Sequence, residues 1–339
     1  MVKPKTRVSD IARLAGVSPS AVSFALNDRK GISPELRVKI KNTAAKLGYV
    51  KTTLSGKSKY ISIVYAGAGG HIVSEIDSGI TQALSKFGYS QIRYTFYKDE
   101  MMNDARKQSY LDGIMEEPGI AGMIVVFLSL TESQKKTVME RKLPVVFLNS
   151  SEPGAAGISI DDEKGGYLAA KKLIGLGHKK IGLVIPGIWY DAVWNLRKDG
   201  YIRALAEHGI EFNPGYIAEE NSFTSDGSKV AAMGLIKRNP ELTALIFASD
   251  LQAFYGIDVM KKNGIAVPGD ISVIGFDNMV FCDLFEPPLT SLKMPFYQMG
   301  KAGAETLLDM LKGAPVPDGK ILLEPEVVFR SSCKDISKK

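Results

Sequence analysis

Beyond about residue 60 the sequence alternates short apolar runs with longer amphipathic stretches, and this alternation limits the folds open to the chain. The apolar runs have the length of strands buried on both faces, and the stretches between them repeat at helical period. This alternation predicts an α/β fold with parallel sheets. The predicted strands are Tyr60–Tyr65, Gln91–Phe96, Gly122–Phe127, Val145–Leu148, Lys180–Ile185, Ala244–Phe247 and Ser272–Phe276. The predicted helices include Val73–Phe87, Glu163–Leu176, Arg197–His208 and Gln252–Lys262.

The strands form two blocks that meet near residues 149–162, which predicts two Rossmann-type subdomains of similar architecture. The segment Thr290–Met294 and a following helix to Lys312 are expected to cross back to the first block. The predicted subdomains are therefore residues 61–161 with about 291–320, and residues 162–290 with about 321–332.

Residues 8–49 have a different pattern, which predicts three short helices. Val8–Ala15 carries apolar residues at helical spacing and ends at Gly16. Ser18 supplies an N-cap oxygen and Pro19 occupies the first helical position, and Ser33 and Pro34 repeat this start signal. The arrangement predicts a helix-turn-helix headpiece over residues 1–50, whose second helix enters the DNA major groove.

The positive charge of the chain is concentrated in this headpiece. Residues 1–60 hold 13 Lys or Arg against 3 Asp or Glu, a net charge of +10. The rest of the chain holds 30 against 34, a net charge of −4. A basic end on a mildly acidic body favours phosphate contacts at that end alone, and nucleic acid is the implied partner. An ordinary small bundle with a solvated basic face is the alternative interpretation.

Several classes of protein are disfavoured. The two cysteines, Cys282 and Cys333, are far apart, so neither a disulfide framework nor a metal site is expected. The first residues are polar and basic without the apolar run of a secretory leader, and no stretch approaches the roughly 18 apolar residues of a membrane span, so we expect a cytoplasmic protein. His71, His178 and His208 are scattered and form no catalytic arrangement, so neither an enzyme nor a cofactor is expected.

The motifs resemble those of the LacI/GalR family of bacterial transcription regulators over nearly the whole chain. The headpiece motifs are VSDIARLAGVSPSAVSFALN at residues 8–27 and ISPELRVKIKNTAAKLGY at residues 32–49. The body motifs are KKLIGLGHKKIGLV, FASDLQAFYGI, VPGDISVIGFDN and PPLTSLKMPFYQMG. The resemblance implies a headpiece, a hinge and two periplasmic-binding-protein-like subdomains, in a homodimer that binds palindromic operator DNA. A small effector in the cleft between the subdomains would then gate DNA binding.

The resemblance also implies which residues contact the effector. By match to the family's motifs, Arg197 and Asp277 would face each other in the cleft and grip vicinal hydroxyls, which suits a sugar or sugar derivative. Phe223 matches a position at which an aromatic ring stacks on the ligand. Polar residues after other strands, and one in a Gly-rich loop, complete the expected set: Asn149, Asp250 and His71.

Each of these residues also has an ordinary structural interpretation. Arg197 can pair with Asp199 or Asp191 on a helix surface. Asp250 can cap the following helix, and Asp277 can stabilise a turn. Phe223 can belong to the core, with Trp189, Tyr190 and Trp194 as competing aromatics, and the loop at His71 can be a simple turn.

For DNA, the family's base-reading positions fall on Pro19, Ser20 and Phe24. The third is usually arginine in the family, and phenylalanine can pack on a thymine methyl group but cannot make arginine's bidentate contact to guanine. The operator is therefore expected to differ from the common half-site. The predicted phosphate contacts are Arg7, Ser18, Ser23, Asn27 and Arg29, although both serines also fit cap or surface roles.

The linker at residues 51–60 is about five residues shorter than the family's usual hinge and lacks its PNALARSL segment. Leu54 is the one leucine left to wedge between base steps, and it fits an ordinary linker residue equally well. We therefore expect weaker DNA bending than is usual in the family. The sequence predicts a DNA-binding repressor gated by a carbohydrate-like effector, and the alternative is a sugar-binding sensor with weak or no specific DNA binding.

Overall fold

The computed structural model describes residues 8–26, 31–47, 60–67, 70–96, 103–128, 130–140, 143–149, 156–187, 191–220, 225–317 and 319–337. Within these ranges it describes only the backbone of residues 8, 9, 19, 20, 23, 45, 139, 191 and 192. The chain divides into two compact units, a headpiece (Met1–Lys57) and a body (Ser58–Lys339). No helix in the described ranges is long and apolar enough to cross a membrane.

The headpiece contains the three helices α1 (Val8–Ala15), α2 (Pro19–Leu26) and α3 (Pro34–Lys46). The predicted start signals work as expected, because Ser18 Oγ accepts from the Ala21 amide and Ser33 Oγ from the Leu36 amide, both at 3.2 Å. Gly16 follows α1 at a φ of +69°, which favours glycine. The helices enclose a small core made of Ile11, Ala12, Ala15, Val22, Ala25, Ile40 and Ala44.

The first sheet of the body is entirely parallel and has the strand order β11-β5-β4-β3-β1-β2. Its strands are β1 (Tyr60–Ala66), β2 (Ser90–Phe96), β3 (Ile120–Val126), β4 (Val145–Leu148), β5 (Ala156–Ile160) and β11 (Lys320–Leu323). The helices between them are α4 (His71–Ser85), α5 (Asp104–Glu116) and α6 (Glu132–Glu140). The central strands are buried on both faces, as their continuous apolar runs predict.

The second sheet has the order β12-β10-β9-β8-β6-β7, and β12 alone runs antiparallel to its neighbour. Its strands are β6 (Ile181–Pro186), β7 (Ile217–Glu220), β8 (Ala244–Phe247), β9 (Ser272–Phe276), β10 (Thr290–Lys293) and β12 (Glu326–Val328). The remaining helices are α7 (Asp162–Gly175), α8 (Asp191–Glu207), α9 (Ser225–Arg238), α10 (Asp250–Lys262) and α11 (Phe296–Leu311).

The chain passes between the two sheets at three places. It leaves the first sheet after β5, returns through α11, which packs on α4 and on β3 to β5, and crosses again between β11 and β12. The crossings lie side by side: the Asp161 amide donates to Leu323 O at 2.9 Å, and Lys293 pairs with Glu326 at 3.0 Å. The carboxyl ends of both sets of parallel strands flank this region.

Two of the predicted subdomain boundaries need correction. The segment from residue 291 was assigned to the first subdomain, but β10 pairs with β9, so the return crossing comes after Lys293. The segment 321–332 is predicted to belong to the second subdomain. Strand β12 lies there, but β11 pairs with β5 in the first sheet, so the last crossing comes after Leu323. Because β11 is a largely exposed edge strand, its position depends on backbone pairing and leaves little apolar pattern in the sequence.

Candidate functional site

Arg197, on α8, is the centre of a buried polar cluster at the carboxyl ends of the strands. Its Nε and Nη2 each lie 2.9 Å from Asp162 Oδ1, and its Nη1 donates to the carbonyl oxygen of Ala248, directly after β8. Only 5% of the arginine is exposed. The alternative surface pairing with Asp199 or Asp191 therefore does not describe this arginine, since its ion-pair partner is Asp162.

Two aromatic rings cover the guanidinium of Arg197. Its Cζ lies 4.3 Å from the ring centroid of Phe276, the last residue of β9, and 5.0 Å from that of Trp194, one turn earlier on α8. Ring faces attract a cation, most strongly where water is excluded. The rings and Asp162 together hold the guanidinium in one orientation, which suits a group that must meet a ligand with fixed geometry.

Asp277 directly follows β9 in the left-handed region of the backbone, at a φ of 100°. Its amide donates to Leu292 O at 2.8 Å, and its side chain is buried. Burial raises the pKa of Asp277 to about 7; the positive charge of Arg197 opposes this shift, and the carboxyl groups of Asp250 and Asp162 add to it. Burial likewise raises the pKa of Asp162, against the effect of Arg197. The site thus holds more carboxyl groups than its arginine neutralises.

Asn149 brings the first sheet into the same cluster. It directly follows β4 at a φ of 54°, and its Oδ1 accepts from the Ile160 amide at 3.1 Å. Its side chain also hydrogen-bonds Asp162, which lowers the pKa of that carboxyl. Asn149, Asp162 and Arg197 therefore connect the carboxyl edges of the two sheets, where open α/β folds bind ligands.

Asp250, which is predicted as an effector contact, has its carboxylate oxygens occupied by donors of the chain itself. It is fully buried, and its oxygens accept from Ser291 Oγ at 2.6 Å, the Met279 amide at 2.7 Å and Cys282 Sγ at 3.1 Å. It does not cap α10, because Ser249 is the N-cap and accepts from the Gln252 amide. Burial raises the pKa of Asp250 to about 6. Its role is to join α10 to the segment after β9.

Of the other two predicted effector residues, His71 is described and Phe223 is not. His71 is the first residue of α4 and is half-buried, and within the described ranges no hydrogen bond joins it to Asn149, Asp162 or Arg197. Phe223 lies outside the described residues. Of the six predicted effector residues, Arg197, Asp277 and Asn149 meet at one site, and the structure adds Asp162, Ala248 and Phe276 to them.

The predicted DNA-reading residues are described in part. The structure gives the backbone of Pro19, Ser20 and Ser23 within α2, and Ser18 caps this helix. Arg7, Asn27, Arg29 and Leu54 lie outside the described residues.

Phe24 is half-buried, and its backbone oxygen accepts from Arg37 Nη1 at 3.2 Å. Its ring lies against Gly31, where an added Cβ would come within 3.3 Å of Phe24 Cε2. Packing inside the headpiece thus occupies part of the Phe24 ring.

No group of three or more His, Cys, Asp or Glu residues in the described part of the chain is arranged to hold a metal ion. His178 is buried between Thr243 Oγ1 and the carbonyl oxygen of Lys334, and burial lowers its pKa. Its role is to join the C-terminal segment to the second sheet.

Comparison with known proteins agrees with both parts of the architecture. Residues 7–51 match the family described as bacterial regulatory proteins, lacI family, and residues 170–333 match a periplasmic binding protein-like domain. The regulator reg1 of Streptomyces lividans is 30% identical, covering 96% of this chain and 96% of its own. The ribose operon repressor of Haemophilus influenzae is 29% identical, covering 96% and 98%. The solved complex of the regulator CelR with cellobiose has a TM-score of 0.73 at 25% identity, covering 96% and 99%.

A helix-turn-helix headpiece joined to a two-sheet body with a polar cluster between its strand ends defines a DNA-binding regulator of the ligand-sensing kind. The chain belongs to the lacI family of bacterial regulatory proteins. It is a transcriptional regulator and not an enzyme.

Proposed function

We propose that the protein is a repressor whose DNA binding is gated by a carbohydrate effector held between the carboxyl edges of the two sheets. The observation that carries this proposal is the buried cluster of Arg197, Asp162 and Asn149, with Asp277 beside it. The cluster joins the two halves of the body. A small ligand bound there would favour one arrangement of the two halves over another. The ribose operon repressor and the CelR complex with cellobiose support a sugar as the class of effector.

The chemistry of the cluster suits hydroxyl groups. Asp162 and the Ala248 carbonyl occupy part of the guanidinium fork of Arg197, and its remaining N–H groups can donate to a ligand oxygen. The ionised Asp277 carboxylate can accept from two neighbouring hydroxyls. A sugar that donates to Asp277 and accepts from Arg197 satisfies both, and the rings of Trp194 and Phe276 already exclude water from one side.

The test begins with selection of binding sites from random duplexes by the full-length protein. The selected site is then titrated at fixed salt with ribose, cellobiose, glucose and adenosine. We expect a palindromic site whose affinity one sugar changes at least tenfold, and we expect Arg197→Lys to abolish that change while Arg203→Lys, on the exposed side of α8, retains it. Sugar binding without selection of any site would instead support a sensor that lacks specific DNA binding.

For base reading, we propose that α2 enters the major groove and that Phe24 selects the operator by contact with a thymine methyl group. The basic headpiece supports phosphate contact around it. Phe24→Arg should create a guanine preference at one position of each half-site, worth about tenfold or more in relative affinity. Selection with the wild-type and variant proteins checks this, and identical selected sites would contradict it.

For assembly, we propose that the half of the body that contains the second sheet binds a second copy of the chain through four apolar side chains on α10 and the segment after β9, namely Leu251, Val280, Phe281 and Leu284. All four side chains are exposed, and Asp250 joins their two segments by accepting from the Met279 amide and Cys282 Sγ. Exposed apolar side chains grouped on two joined segments commonly mark an interface. A two-fold dimer would also match a palindromic operator.

Light scattering tests the assembly directly. Phe281→Asp should convert the dimer to a monomer at micromolar concentration. The matched control Leu322→Asp alters an equally exposed residue on β11 and should leave the dimer intact. A wild-type protein that is monomeric at that concentration would contradict this part of the proposal.

A further inference from the structure

A second buried polar cluster lies at the carboxyl end of β7, outside the contacts of Arg197. Glu220, the last residue of β7, is only 3% exposed, and its Oε2 accepts from Ser228 Oγ at 2.9 Å and from Gln252 Nε2 at 2.8 Å. Gln252 lies in the first turn of α10 and is 1% exposed. These contacts join the edge strand of the second sheet to the helix that follows β8.

Two oxygen atoms in this cluster lack a hydrogen-bond donor. Glu220 Oε1 and Gln252 Oε1 are closed to solvent, and within the described chain neither accepts a hydrogen bond. Both atoms are acceptors, so they cannot satisfy each other unless a proton or a donor group lies with them. Leaving a buried carboxylate oxygen unpaired is costly, and native proteins rarely do so without a functional reason.

The position of the cluster relates it to the proposed effector site. Gln252 is four residues from Ala248, whose carbonyl oxygen accepts from Arg197. In the sheet, β7 neighbours β6, and β8 and β9 follow on the other side of β6. Glu220, Ala248 and Asp277 thus end or follow strands along one carboxyl edge, where ligands of open α/β sheets bind.

We propose that Glu220 and Gln252 form a donor-reading subsite, which selects effectors that present a hydroxyl or amino group beyond the part held by Arg197 and Asp277. This inference rests on the proposed effector function. It adds which chemical group the effector must carry at the end away from Arg197 and Asp277. A ligand group that donates to Glu220 Oε1 or Gln252 Oε1 supplies a partner that the described chain does not. A ligand that lacks the donor leaves both unpaired and is rejected, which is the strongest kind of discrimination a polar subsite provides.

The substitution Glu220→Gln tests the subsite because it preserves size and shape while replacing an acceptor by a donor. The amide oxygen can still accept from Ser228 and Gln252 Nε2, and the new amide nitrogen can donate to Gln252 Oε1. We therefore expect the effector-free variant to melt about 2 to 4 °C above the wild type. Glu219→Gln is the matched control, since it makes the same chemical change at the exposed neighbouring residue of β7 and should leave the melting temperature unchanged.

The second measurement is calorimetric titration of the same proteins with ribose, cellobiose, glucose and adenosine. For a compound whose binding also requires Arg197, Glu220→Gln should weaken the Kd at least about tenfold, and Glu219→Gln should not change it. A higher melting temperature with an unchanged Kd overturns the subsite and leaves the effector proposal standing. An unchanged or lower melting temperature means that a buried water or proton already pairs both oxygens, and also overturns it.

If no compound of the panel binds the wild type, the carbohydrate part of the proposed function fails. The melting comparison still decides whether the two oxygens are unpaired, because it needs no ligand, and an unchanged or lower melting temperature of Glu220→Gln overturns the subsite by itself. A rise in Glu220→Gln without a rise in Glu219→Gln supports the unpaired acceptors and directs the search to effectors rich in amino donors.

Discussion

The carboxyl edges of the two sheets carry different chemistry. In the described part of the first sheet, β3 is followed by Phe127 and β4 by Asn149, both uncharged and both at positive φ, while β5 is followed by Asp161 and Asp162, which begin α7. In the second sheet, Glu220, Asp250 and Asp277 end or follow the strands, and all three are buried. Asp250 is engaged within the second half, so Glu220 and Asp277 are the charged groups that the second edge offers to a ligand. The first edge offers the uncharged Asn149, together with Asp162, which is already paired with Arg197. In such a design, affinity depends mainly on one half and gating on the contact between the two halves.

The largest expected effect is that of Arg197→Met, which leaves Asp162 buried without its cation. We expect the free energy of unfolding of the body to fall by about 3 to 5 kcal/mol, measured by urea denaturation of the full chain. Arg203→Met, two turns along α8, is the matched control. It removes contacts of 2.7 Å to Glu163 and 3.2 Å to Glu207 on the exposed face, and should cost less than about 1 kcal/mol. Equal losses in the two variants would break the contrast between buried and exposed charge.

Asp277→Asn should have the next largest effect on the free energy of unfolding. It should raise this free energy rather than lower it, and the increase should depend strongly on pH. Because the folded pKa of Asp277 is raised to about 7, ionising this carboxyl destabilises the fold progressively as the pH rises from about 4 to 7. The variant has no such penalty, so it should be more stable than the wild type at pH 8, by about 1 to 3 kcal/mol, and similar to it at pH 4.

The control for this pH effect is an exposed carboxylate of the first half. Glu305→Gln on α11 removes only a 3.9 Å contact with Lys301 and should change stability little at either pH. A loss of stability of Asp277→Asn at pH 8 would show instead that the ionised carboxylate stabilises the second half.

Asn149→Ala should have a smaller effect and tests the contribution of the first half. It removes the acceptor of the Ile160 amide and places alanine at a φ of 54°, which together should cost about 1 to 2 kcal/mol. Asn149→Gly removes the same acceptor at a backbone position that glycine tolerates. The difference between the two variants in urea denaturation therefore measures the backbone strain, and identical values would show that the side-chain bond accounts for the whole effect.

The smallest expected effect compares a helix cap from each half. Ser249→Ala removes the side-chain acceptor of the Gln252 amide, and Asn103→Ala removes that of the Arg106 amide. Each should cost about 1 kcal/mol, and the buried Ser249 more than the exposed Asn103, because water replaces the lost partner only at the exposed end. A larger loss at Asn103 in thermal melting would contradict the expectation that the buried cap contributes more than the exposed one.

Much of the fold could be predicted from local pattern. The boundaries of Val145–Leu148, Ala244–Phe247 and Ser272–Phe276 agree with the strands observed, because continuous apolar runs mark strands buried on both faces. Strand β7, with the sequence IAEE, was missed. Its last glutamate is buried only because Ser228 and Gln252 hold it, and neither contact is local in sequence.

Less of the site than of the fold could be predicted from the sequence. The resemblance to the family identified Arg197, but its partner Asp162 precedes it by 35 residues and belongs to a pair of aspartates that also marks the start of a helix. Asp250 was predicted as an effector contact because it lies shortly after a strand. The groups that turn it inward, Ser291 and Cys282, come from distant segments of the chain. Local pattern thus identifies polar residues at strand ends, and tertiary packing decides which of them face a ligand.

The three crossings between the sheets have a consequence for biosynthesis. Both halves are completed by the same late stretch of chain, because α11 and β11 cover the first sheet while β10 and β12 extend the second. While the ribosome is still translating residues 290–328, neither half has its full set of elements, although the headpiece has all three of its helices. A nascent chain should therefore carry a folded headpiece before either half of its body is complete. Ribosome-bound chains arrested at residue 285 should accordingly be digested by protease throughout the body.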